Sequence, residues 1–383
     1  MMIQREIAPW LLSLAEEYPV VSLMGPRQSG KTTLAKALFP SYGYVNLEDP
    51  DERRAAESDG AAFMRRHPAP LVIDEVQRVP ELLSRIQVAV DADSGRKGAY
   101  ILTGSHQPTL REGISQTLAG RVALAILMPL SIGEIRSAMA LPEREELVFR
   151  GFLPRIWAEG LSPATFLSNY IATYVERDVN AVLNLRDRRP FETFLRLVAG
   201  RVGQLMKYEA IASEAGVSAA TVKAWLSVLE AGFVVFTVPC YHRNFGKRFV
   251  KAPKVYFTDV GLCCHLLGIQ NPAQVERDPL FGGLFENLVV AEALKRHLNR
   301  GLEPHLHFVR DYKGFEVDLL VENGRTLDLY EIKSSMSFHE SFAENVAKLA
   351  ALVPNAGRTA VVYSGRPAAA HGIDYVNYAD FAP

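Results

Sequence analysis

Eight consecutive residues near the amino end, Gly25-Pro26-Arg27-Gln28-Ser29-Gly30-Lys31-Thr32, fit the spacing G-x-x-x-x-G-K-[ST]. The residue types suit one task, the gripping of a phosphate chain. Glycines let the backbone curl until several N–H groups face one anion, and a helix starting at the loop adds the positive end of its dipole. Lys31 would reach the β- and γ-phosphates of a nucleotide, and the Thr32 hydroxyl would hold Mg²⁺. Together with Thr33, the run forms the expected nucleotide cradle.

Two further elements supply what phosphoryl chemistry needs. The apolar run Leu71-Val72-Ile73 ends in Asp74-Glu75, and open α/β sheets place ligands at the carboxyl ends of their strands. Asp74 would position Mg²⁺ through its water shell, and Glu75 would act as general base on the attacking water. Tyr100-Ile101-Leu102-Thr103-Gly104-Ser105 offers Thr103 and Ser105 as polar residues at a strand tip that could sense the γ-phosphate, or that merely cap a turn. Arg121 precedes the last apolar run of this region. It could supply charge to a neighbouring subunit's transition state or be a plain surface arginine.

A second cluster lies in the last third. Asn323-Gly324 sits between two alternating runs within Phe315 to Lys333 and predicts a two-residue hairpin loop. In that register Glu322 faces Arg325, Asp318 faces Leu329 and Glu316 faces Glu331. Asp318, Glu331 and Lys333 then project from one face together with Leu320 and Leu329. A divalent ion could sit between Asp318 and Glu331, with Lys333 orienting a water beside it. Glu316 shares the face, and clustered acids repel unless a cation lies among them. Either a metal or an ion-paired core satisfies the pattern.

Between these clusters, Lys207 to Phe236 has helix-turn-helix spacing, with Ile211, Val217, Val222, Trp225, Leu226 and Leu229 as its expected core. The wing-like stretch after it holds Arg243, Lys247, Arg248 and Lys251 interleaved with Phe245 and Phe249, a composition suited to DNA phosphates and stacking. The alternative is a module that only relays nucleotide state between neighbours.

These residues must be carried by larger elements. The first 130 residues alternate strand-like runs (20–23, 44–47, 71–73, 100–102 and 122–128) with helical stretches (32–38, 51–66 and 81–90), as a parallel α/β sheet does. A helical middle follows, and the last third reads helix, strand, strand, helix, strand. The expected domains are 1–130, 131–280 and 281–383. With 48% hydrophobic and 22% charged residues, the 383-residue chain is globular rather than disordered. The net charge of -1 advertises no global attraction to nucleic acid, so any DNA contact must come from a local patch. No apolar run approaches the roughly 18 residues of a membrane span, and no secretory pattern opens the chain. Three cysteines without metal spacing fit a reduced, cytoplasmic setting.

The chain resembles the bacterial and archaeal AAA+ ATPases that carry a C-terminal domain of unknown function with a nuclease-like fold. The resemblance runs over nearly the whole length. It rests on the phosphate loop, Ile73-Asp74-Glu75-Val76-Gln77, Leu102-Thr103-Gly104-Ser105, Leu130-Ser131-Ile132-Gly133-Glu134, residues 170–178, Lys251-Ala252-Pro253-Lys254-Val255-Tyr256-Phe257 and Phe285-Glu286-Asn287. It implies ATP and Mg²⁺ as ligands, an AAA+ type P-loop sheet, and a restriction-endonuclease-like α/β domain behind a helical, winged-helix-like middle. The Asp318, Glu331, Lys333 set resembles the metal site of PD-(D/E)XK nucleases, where Glu286 matches a helical acid and a second divalent cation would be held. The expected function is Mg-dependent ATP hydrolysis coupled to DNA binding or processing, in a chain that could form a homo-oligomer. The alternative is a slow-hydrolysing nucleotide switch that recruits a protein partner, with an idle nuclease-like fold.

Overall fold

The computed structural model describes residues 2–93, 95–105, 114, 116–175, 188–241 and 250–383. Two compact units are present: Met1–Leu130 with Ala231–Phe233 and Leu298–Leu302, and Ser131–Glu230 with Val234–His297 and Glu303–Pro383.

In the first unit five parallel strands, β1 (Val20–Gly25), β2 (Gly43–Asn46), β3 (Leu71–Asp74), β4 (Tyr100–Ser105) and β5 (Val122–Ile126), form one sheet ordered β2-β3-β4-β1-β5. Every residue of β1, β3 and β4 is buried, as central strands of a parallel sheet covered on both faces must be. Alternate side chains serve opposite faces: Val20, Ile73 and Leu102 join one apolar cluster, and Val21, Val72 and Ile101 join the other. β4 extends through Ser105, so Thr103 and Ser105 are strand residues paired with Leu23 and Gly25, not members of a turn. The charged stretch 51–66 divides into helices Pro50–Ser58 and Gly60–Arg66, because the Asp59 carboxylate accepts from Ala62 N–H at 2.9 Å and starts the second.

The second unit contains helices Tyr208–Ala215 and Ala219–Ala231. Gly216 between them takes φ 69°, and the Ser218 hydroxyl accepts from Thr221 N–H at 3.0 Å. An antiparallel pair follows, β6 (Val235–Val238) and β7 (Lys254–Phe257). After the helix Phe281–Asn299 comes a six-stranded mixed sheet of β8 (Leu306–Arg310), β9 (Glu316–Asn323), β10 (Thr326–Lys333), β11 (Ala356–Tyr363), β12 (Ala368–Ala370) and β13 (Ile373–Asn377), ordered β12-β13-β11-β10-β9-β8. β8, β12 and β13 are additional to the sequence expectation.

The β9–β10 register also differs from that expectation. Asn323 pairs with Thr326 and Leu320 with Leu329, which leaves Gly324-Arg325 as the turn. Gly324 takes φ 62° at the first of the two turn positions, instead of second place behind asparagine. Asn323 stays in the strand because its side-chain amide bonds to Asp328 and its carbonyl accepts from the Thr326 hydroxyl at 3.1 Å. The slip is by two residues, so every side chain keeps its face. All three cysteines are buried and free. Among the described residues no helix is long and apolar enough to cross a membrane.

Candidate functional site

The phosphate loop joins the end of β1 to the helix Lys31–Leu38. Gly25 takes φ 148°, Gln28 62° and Gly30 92°, so the chain curls in a way that few non-glycine residues adopt without strain. A Cβ on Gly25 would meet the Leu127 carbonyl oxygen at 2.2 Å, which reserves that position for glycine. The buried Arg5 guanidinium braces the loop from outside, donating to the carbonyls of Ser29 at 2.7 Å and Met128 at 2.6 Å. Lys31 is buried, and its ammonium donates to the carbonyls of Gly25 at 3.0 Å and Pro26 at 2.8 Å. Ser29 Oγ is buried without a hydrogen-bond partner among the described residues. Arg27 and Gln28 are half-buried at the loop, and Thr33 is exposed.

Asp74 ends β3 beside this loop. Its Oδ2 accepts from the Thr32 hydroxyl at 2.8 Å and from the Tyr44 hydroxyl at 2.8 Å, and its other oxygen accepts from Thr103 Oγ1. Thr32 and Asp74 are thus brought together as a Mg²⁺–nucleotide pair requires, and the orphaned Ser29 hydroxyl and curled backbone fit a phosphate. Glu75 leaves the strand in the left-handed region, φ 57°. Burial pushes its carboxyl pKa upward, while Lys31 and Arg27 pull it back. The Gln77 amide donates to Glu75 and, at 3.0 Å, to Ser105 Oγ, so one side chain links the candidate base to the candidate sensor.

Sequence reasoning missed Arg5, Tyr44 and Gln77. Gln77 ends the stretch Ile73-Asp74-Glu75-Val76-Gln77 that carries the resemblance, but the resemblance gives it no role. Arg121 is not brought to the others. Its guanidinium forms a forked pair with Asp91, one arm at 3.0 Å, and the residue precedes Val122, which pairs with Val20 at the start of β1. The loop lies at the other end of that strand, roughly 20 Å along the sheet.

The carboxyl-terminal acids do assemble, around a lysine. Lys254 of β7 is 1% exposed. Its ammonium lies 2.8 Å from Glu286, 2.6 Å from Glu316 and 3.8 Å from Asp318. Tyr256 donates to Glu286 at 2.6 Å. Asp318 accepts from Ile332 N–H at 2.8 Å, and Lys333 pairs with Glu331 at 2.6 Å and Asp318 at 3.9 Å. Arg310 adds a contact to Glu316 at 3.2 Å. Among the described residues no group of three His, Cys, Asp or Glu side chains could hold a metal ion. Thus Glu286, Asp318, Glu331 and Lys333 are neighbours, and the Lys254 ammonium lies among the carboxylates of Glu286, Glu316 and Asp318. Of the basic stretch, Arg243, Lys247 and Arg248 lie outside the described residues, and Lys251 is exposed.

Comparison with known proteins matches three stretches of the chain to family models. Residues 17–136 match the model of the AAA domain, residues 142–273 a domain of unknown function (DUF8612), and residues 281–379 another (DUF4143). Among solved structures, the chain is similar to the Walker-type ATPase PABY2304 of Pyrococcus abyssi, with 17% identity, a TM-score of 0.44 and coverage of 68% of this chain and 94% of that one. It is also similar to a single-substitution variant of RuvB from Thermotoga maritima, with 22% identity, a TM-score of 0.34 and coverage of 62% and 90%. Two curated relatives, the uncharacterized proteins Mb2031c of Mycobacterium bovis and Rv2008c of Mycobacterium tuberculosis, are each 32% identical over 374 residues, covering 94% of this chain and 80% of theirs. With that identity over most of both lengths, the chain belongs to the family of these two mycobacterial proteins, and its amino-terminal part is an AAA domain.

Proposed function

We propose that the protein binds ATP with Mg²⁺, hydrolyses it at the loop of residues 25–33, and couples its nucleotide state to DNA binding or processing by the C-terminal parts. One observation supports this reading: Lys31, Thr32, Asp74 and Glu75 lie at the carboxyl ends of parallel strands of one sheet, with the Thr32 hydroxyl donating to Asp74. Loop N–H groups and the Lys31 ammonium hold the β- and γ-phosphates in place. Thr32, and Asp74 through a water shell, would hold Mg²⁺, which would supply charge neutralisation along the phosphates. Glu75 orients a water and takes its proton, a role helped by a carboxyl pKa raised by burial. Thr103 and Ser105 report on the γ-phosphate through Asp74 and Gln77. Arg121 would serve only a neighbouring copy, which makes a homo-oligomer part of the proposal.

The test is calorimetric binding of ATP with Mg²⁺, followed by steady-state turnover with and without duplex DNA. Lys31→Ala is expected to abolish binding or turnover, and unchanged turnover in that variant rejects the assignment. Stimulation of the wild type by DNA supports the coupling. A second reading, a slow-hydrolysing switch that recruits a protein partner, is favoured by the lysine among the C-terminal carboxylates and is expected to show no DNA stimulation.

A further inference from the structure

The carboxylate cluster of the second unit differs from a metal centre in which group occupies its middle. Metal-binding carboxylates keep oxygens free and aimed at one point, about 2.0 to 2.6 Å from a hard divalent cation. Here that point is taken. The Lys254 ammonium makes close contacts with Glu286 and Glu316 and sits at longer range from Asp318. It is anchored on its own strand, where Lys254 pairs with Val238. Of the other oxygens, Asp318 Oδ2 accepts a backbone N–H, Glu331 Oε1 is paired with Lys333 and Glu316 Oε2 lies 3.2 Å from Arg310. Glu331 Oε2, buried without a partner among the described residues, is a single oxygen and no cage.

The protein's own cations nearly match the acids, three against four. Glu286, Glu316, Asp318 and Glu331 are met by Lys254, Lys333 and Arg310. Three carboxylates, those of Glu286, Glu316 and Asp318, surround the buried ammonium and offset the cost of keeping its charge out of water. Removing one partner of such a buried cluster leaves uncompensated charge and is strongly destabilising. The cluster also ties together three elements distant in sequence: β7, the helix Phe281–Asn299 and β9.

We propose that Lys254 is the resident cation of this cluster, standing where a divalent ion would otherwise sit, and that the cluster is a structural clasp instead of a metal-dependent cleavage centre. This is independent of the ATP reading. The probe is Mn²⁺, read as loss of the free-ion paramagnetic resonance signal on titration into the nucleotide-free full-length protein. The wild type is expected to take up no Mn²⁺ that Asp318→Asn removes, and its melting temperature to be unmoved by EDTA. Lys254→Met empties the centre while keeping most of the side-chain volume. It is expected to acquire about one Mn²⁺ per chain, lost again in the Lys254→Met, Asp318→Asn double variant. If Lys254→Met does not fold alone, recovery of folded protein on adding Mn²⁺ supports the proposal, and no recovery overturns it. Asp318-dependent Mn²⁺ uptake by the wild type, or a folded Lys254→Met that binds none, also overturns it.

Discussion

Single side chains here act through the partner that restrains them. Glu75 is the candidate base, but Gln77 fixes where its carboxylate points and ties it to Ser105. Gln77→Ala is expected to lower kcat about tenfold with KM for ATP within about twofold, because the interaction bears on the reacting water and not on nucleotide binding. A donated hydrogen bond favours the ionised carboxylate, so the acid limb of the pH profile should also move to higher pH. Unchanged kcat and an unchanged acid limb would show that Gln77 only fills space. The C-terminal cluster gives a second prediction. Burial, then the charge of Asp318, pushes the Glu331 carboxyl from its ordinary 4.5 up to about 8. The folded chain therefore holds a proton that the unfolded chain has released, and the stabilisation, full below pH 4.5, is lost as pH rises toward 8. Glu331→Gln should flatten the fall of melting temperature across that window, and an unaltered slope would place the pH dependence elsewhere.

At the scale of elements, turn geometry decides what the carboxylate hairpin presents. Gly324 takes φ 62° with no heavy atom within 4 Å of an added Cβ, so a substitution there tests backbone conformation alone. Gly324→Ala is expected to cost about 1 kcal/mol, whereas Gly324→Asn, which tolerates the left-handed region, should cost only a fraction of that. Denaturant midpoints measure both, and equal losses would reject the turn assignment. The same hairpin illustrates what was legible beforehand. Strict alternation gave the faces of β9 and β10, which survive the two-residue slip, while the pairing depended on Asn323 bonding to Asp328 and Thr326. β1, β3 and β4 were legible because central parallel strands are continuous apolar runs. β12 was not, since Ala368-Ala369-Ala370 has no β propensity of its own and exists by pairing with β13. The loop, Asp74 and Glu75 could be read because their spacing is local. Tyr44 reaches Asp74 across 30 residues and Lys254 reaches Glu286 across 32, distances at which no periodicity speaks.

For the whole molecule, the net charge of -1 means that any nucleic-acid contact must be local and strongly salt-dependent. Arg243, Lys247, Arg248 and Lys251 form a dense basic stretch that follows the helices Tyr208–Ala215 and Ala219–Ala231 in sequence, with two phenylalanines among them that would suit stacking on bases. If they neutralise phosphates, each contact releases counterions, and the affinity for duplex DNA falls linearly with salt on logarithmic axes. Replacing Arg243, Lys247 and Arg248 together by glutamate should weaken binding at low salt and flatten that slope by about three, close to one per phosphate contact. DNA stimulation of ATP turnover should disappear with it. The comparison also separates the two classes of function. A wild type with no salt-sensitive DNA affinity leaves the basic stretch without nucleic acid to bind, and a nucleotide-dependent protein partner then becomes the occupant to seek. A wild type that binds DNA but whose triple variant keeps the full salt slope moves the DNA contact to another surface and leaves the ATP site as assigned.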